Sequence, residues 1–67
     1  MKVKLDYRSG NAVQQVKEFE LDILPMVGDE VLTPDHEGIF KSAVVISRTF
    51  DFCDKEPFVR IEVGKDS

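Results

Sequence analysis

Tryptophan is missing from this 67-residue sequence, and cysteine and histidine occur once each. A lone cysteine, Cys53, excludes an internal disulfide, and without a Cys/His cluster there is no ligand set for a structural zinc. The longest aliphatic run, Ala43–Ile46, falls far short of the ~20 apolar residues of a membrane helix. Met1–Asp6 lacks the apolar segment of a secretory signal. Together with a free thiol, these absences point to the cytoplasm. Basic residues are missing where acids are densest. Residues 18–40 hold Glu18, Glu20, Asp22, Asp29, Glu30, Asp35 and Glu37 with no Lys or Arg. No basic footprint for a phosphate backbone remains, so nucleic acid is not an expected partner.

Sustained 3.6-residue periodicity is lacking too. Between turn signals the chain is rich in β-branched and aromatic residues at alternate positions, which predicts an all-β domain over 1–67. A domain this small buries only ~60% of its unfolded surface. With neither disulfide nor zinc to support it, self-association is expected.

The spacing predicts five strands. Met1–Arg8 places Met1, Val3, Leu5 and Tyr7 on one face, and Ser9-Gly10-Asn11 is a hairpin turn. In the returning strand, 13–22, a register pairing Val3 with Phe19 also pairs Lys4 with Glu18 and Lys2 with Glu20. That register turns Gln15 and Lys17 inward and Val16 outward, which predicts either a bulge near 14–16 or a half-open hairpin tip. Pro25 disfavours helix at Leu24, and Gly28-Asp29 bends the chain sharply into a short strand, 30–33. Pro34–Gly38 reads as a turn, and 39–52 as one long strand bent around its doubly apolar middle. Phe40, Val44, Ile46, Phe50 and Phe52 share one face of it by parity.

The last strand, 58–63, has two possible registers. Pairing Phe50 with Val59 buries Val59, Ile61 and Val63, while pairing Phe52 with Phe58 leaves an Arg48–Glu62 ion pair. Burial of aliphatic side chains, ~1.5–3 kcal/mol each, outweighs an exposed ion pair at ~0–1 kcal/mol. The first register is therefore expected near Val63, with a bulge or splay towards Phe58. The tail from Gly64 is expected to fray.

The pattern Pro25-x-x-Gly28-Asp29-x-Val31, ahead of a Gly-containing turn and a long β-branched strand, resembles small SH3-like barrels. It is most similar to short bacterial and phage proteins that place a β-hairpin before such a barrel. The resemblance covers about residues 19–63 and implies a five-stranded antiparallel SH3-like barrel preceded by, or including, an N-terminal hairpin. It carries no catalytic or binding residue with it.

Candidate chemistry is sparse. His36 between Asp35 and Glu37 has no second histidine or nucleophile nearby, and reads as a surface turn. Cys53 is surrounded by Asp51, Asp54 and Glu56, which oppose a reactive thiolate. Asp29 and Glu30 with Asp22 could form a carboxylate cluster, but turn formation already explains Asp29. No cofactor is expected. The most pointed set is Phe50, Phe52, Phe58 and Arg60, an aromatic–arginine grouping of the kind found in interface hot spots. The leading expectation is a non-catalytic module for self-association or protein partners, using this edge or an open strand edge. The alternative is a small oligomeric enzyme or ligand-binding protein with its site between subunits. Plasmid-borne type II dihydrofolate reductases, which are SH3-like, work that way. Their Val-Gln-Ile-Tyr pore motif is absent here.

Overall fold

The computed structural model describes residues 1–34 and 37–65. Among these residues there are five strands and no helix: β1 (Lys2–Ser9), β2 (Ala12–Glu20), β3 (Glu30–Pro34), β4 (Phe40–Asp51) and β5 (Phe58–Lys65). They form one sheet in the order β2-β1-β5-β4-β3, curled into a half-barrel. Three neighbouring pairs are antiparallel, but β1 and β5 run parallel. The expectation of a purely antiparallel sheet is therefore corrected to a mixed one. The opening hairpin and the β3–β4–β5 meander join along strands that point the same way.

Hairpin β1–β2 carries its register in its side chains. Val3 faces Phe19, Lys4 faces Glu18 and Lys2 faces Glu20, as the charge and apolar patterns require. The register then shifts between Leu5 and Asp6, so Ser9 pairs with Ala12 and the turn is Gly10-Asn11. The bulged residue is Val16, and its half-buried side chain packs against the core. An extra residue turns an otherwise outward valine back towards apolar neighbours.

Lys2 Nζ lies 3.0 Å from Glu18 on this hairpin, and that contact holds the Glu18 carboxyl below the usual carboxylate range. A depressed folded pKa adds stability that is present above the unfolded value and lost as pH falls through the folded one. Glu18→Gln is expected to lose that contribution at neutral pH and to match the wild type at strongly acidic pH, which flattens the acid limb of the pH–stability curve. The pair is exposed, so 1 M salt is expected to mask the difference.

The chain then turns at Met26–Asp29. The Asp29 amide donates to the Met26 carbonyl at 2.9 Å, and the Met26 amide donates to Asp29 Oδ2 at 2.8 Å. Gly28 takes φ 96°, a conformation that side-chain-bearing residues rarely adopt. The corner is tied to β4 at both its polar groups: Gly28 donates to the Val45 carbonyl, and Val45 donates to the Asp29 carbonyl.

The core lies at the centre of the sheet. Val3, Leu5 and Tyr7 of β1 stand beside Val59, Ile61 and Val63 of β5, with Ala43 and Val45 of β4 completing it. Leu21, Leu24 and Val31 pack on as half-buried cover. The favoured register holds towards Phe58, where Phe50 pairs with Val59 and Arg48 with Ile61, and is lost near Val63, which pairs with Val45 rather than Ile46. The irregularity sits at Ile46, near Val63, rather than towards Phe58. The bulge reverses the faces of β4 at mid-strand. Ala43 and Val45 are buried before it, whereas Phe50 takes the place opposite Val59 after it, so single-face parity along β4 fails. Ile46 lies over Gly64, where an added Cβ would come within 2.5 Å of its Cδ1. β5 also continues through Gly64 to Lys65 instead of fraying there. Asp35 and His36 of the anticipated 34–38 turn, and the last two residues of the anticipated tail, lie outside the described residues.

Candidate functional site

The four aromatic and arginine residues singled out by sequence divide between two faces. Phe58 is 3% exposed and lies on the side of β5 away from the core, opposite Lys2 of β1. The Lys4 ammonium sits 4.0 Å from its ring centroid and the Arg60 guanidinium 5.6 Å away. Both cations thus lie over the ring face, where the aromatic quadrupole attracts them. Arg60 also bonds Asp6 Oδ2 at 2.9 Å. Asp6 is itself buried, and its Oδ1 has no hydrogen-bond partner. Arg8 pairs with Glu62 one step along, so charges of both signs alternate across this outer face.

Phe50 and Phe52 remain open to solvent. Their rings stack with centroids 6.4 Å apart and an interplanar angle of 17°. Phe52 is 70% exposed, although it follows directly on the end of β4. Arg48 extends the stack with its guanidinium 5.5 Å from the Phe50 centroid, and its Nη1 donates to the Pro25 carbonyl at 3.3 Å. This ties the aromatic pair to the segment entering the Gly28 corner. Arg48 takes the position expected for Arg60; its placement follows from the Phe50–Val59 register. Beyond Phe52 the chain turns back as the Cys53 amide donates to Asp51 Oδ1 at 2.9 Å, leaving the Cys53 thiol exposed.

A second feature was not anticipated from the sequence. β2 and β3 are the two ends of the sheet, and the curl brings them to the rims of a cleft of about 560 Å³. Lys17 and Phe19 line it from β2, Leu32, Thr33 and Pro34 from β3, with Leu5 and Phe40 adjoining. Leu32 and Phe40 are 82% and 79% exposed. Among the described residues, the one charged side chain in the lining is Lys17, which pairs with the buried Leu5 across the β1–β2 ladder. Its inward position was the sequence signal for this site.

Asp29 is engaged in the corner turn, and Asp22 and Glu30 are exposed. Among the described residues, no three of His, Cys, Asp and Glu are grouped to hold a metal ion. No described helix is long and apolar enough to cross a membrane. In comparisons with known proteins, the chain matches no protein-family model, no curated protein and no solved structure.

Proposed function

We propose that the protein is a non-catalytic interaction module that assembles with further copies of itself through the Arg48–Phe50–Phe52 surface. The observation that carries this reading is the stack of two exposed aromatic rings extended by an anchored guanidinium. Aromatic and arginine side chains dominate interface hot spots because they bury much area at small entropic cost. Holding such rings in water is unfavourable, and a domain of this size gains most by covering them. Asp51, Asp54 and Glu56 near the stack disfavour a nucleic-acid partner. The lone thiol Cys53 suits a reducing compartment such as the cytoplasm. An SH3-like relationship is supported by the Pro25–Val31 corner and the antiparallel β3–β4–β5 meander, while the parallel β1–β5 pair departs from it.

Sedimentation equilibrium tests the reading. The wild-type chain is expected to exceed its monomer mass of 7.6 kDa, increasingly so with concentration. Phe52→Ser is expected to restore the monomer with an unchanged melting temperature, since the ring contributes little to the fold. A wild-type mass of one chain at every concentration contradicts the proposal.

A further inference from the structure

We infer that the cleft between β2 and β3 receives an extended peptide segment carrying a carboxylate, which adds a strand beside β2 and meets Lys17. This surface is distinct from the Arg48–Phe50–Phe52 stack, and neither reading depends on the other.

Both rims of the cleft are strand edges without a neighbour in the sheet. Edge strands leave a row of backbone donors and acceptors unpaired, which an extended chain satisfies and a compact small molecule does not. The two rims differ as templates. β3 is only five residues long and ends in Pro34, which has no amide to donate. β2 offers nine residues without proline. The incoming strand therefore pairs with β2, and its other side lies towards Leu32 and Phe40.

Lys17 sets the chemistry. A cation pointing into an apolar cleft guards an edge against indiscriminate pairing, because a greasy strand laid over it would strip its hydration without compensation. A strand with a carboxylate at the facing position removes that penalty. Among the described residues no acid lies within salt-bridge distance of Lys17, and none lines the cleft, so the charge is free for an incoming partner. The same residue thus excludes neutral strands and admits acidic ones, which is selectivity by repulsion as well as attraction.

Amide chemical shifts of the full chain provide the test, titrated with acetyl-Thr-Val-Glu-Val-Thr-amide and with its glutamine counterpart. The glutamate peptide is expected to shift the amides of β2 and to bind about fivefold more tightly than the glutamine peptide, the ratio for a half-exposed ion pair. In Lys17→Met the two peptides are expected to bind equally, with the spectrum otherwise native. The inference is overturned if millimolar glutamate peptide leaves the β2 amides unmoved, or if the wild type binds both peptides alike. It is overturned as well if octanoate fills the cleft while the peptide does not bind, which would assign the site to small apolar acids.

Discussion

Phe58→Ala is expected to destabilise the fold by about 3–5 kcal/mol, the cost of deleting a buried aromatic ring. Small domains hold roughly 0.05–0.15 kcal/mol per residue, about 3–10 kcal/mol for a chain of 67 residues, so the variant would lose a third or more of its stability. Its position makes the result informative. Phe58 lies on the face of β5 opposite the aliphatic core, where a ring would ordinarily be exposed. It is buried because Lys4 from the neighbouring β1 and Arg60 from its own strand lie over it. Phe52, only a few residues away, is expected to tolerate the same replacement with a change below ~0.5 kcal/mol, as surface sites do. Urea denaturation followed by circular dichroism reads both. A loss below about 1 kcal/mol for Phe58→Ala would mean that the charged side chains do not cover the ring.

Ile61→Ala is the second large effect, about 2–5 kcal/mol, against about 0.5–1.5 kcal/mol for Ile61→Val. Ile61 is 1% exposed and sits mid-strand on β5, between Leu5 on the parallel side and Arg48 on the antiparallel side. Truncation opens a void where the two halves of the sheet meet, with β1 on one side and β4 on the other. Neither strand can move in to fill it without breaking its ladder to β5. A shallow cost, similar to that of the valine variant, would place Ile61 at a margin instead of the centre. Thermal or urea unfolding of the two variants side by side settles which holds.

What the sequence makes legible is mostly local. The β1–β2 register could be read because apolar and charged pairs agree on it, and Val16 on the wrong face announced the bulge. Pro25, Gly28 and Asp29 marked the corner, each for a backbone reason that acts within a few residues. The pairing of β1 with β5 is different in kind. Arg60 and Asp6, joined across it, are 54 residues apart, and alternation within a strand is the same whether its neighbour runs parallel or antiparallel. Nothing local specifies the direction. The bulge at Ile46 was misplaced because β4 is apolar on both faces there, so hydrophobic pattern alone could not say which residue was extra.

The binding surfaces show the same division. The clustering of Phe50, Phe52 and Phe58 was visible in the chain, but their separation onto two faces depends on the final register. The cover over Phe58 is supplied by Lys4, from the far end of the sequence. The cleft needed the curl of the whole sheet to bring β2 near β3. Its one advance sign was Lys17, a cation placed opposite a core leucine.

The mixed sheet is the claim on which the rest depends, because the β1–β5 junction joins the hairpin to the meander in the order that leaves β2 and β3 at the two ends. Methyl–methyl and methyl–aromatic nuclear Overhauser effects between β1 and β5 test it most directly. Parallel pairing predicts contacts from Val3 to Val59 and from Tyr7 to Val63. Contacts from Val3 to Val63 and from Tyr7 to Val59 would show antiparallel strands and contradict the architecture described here.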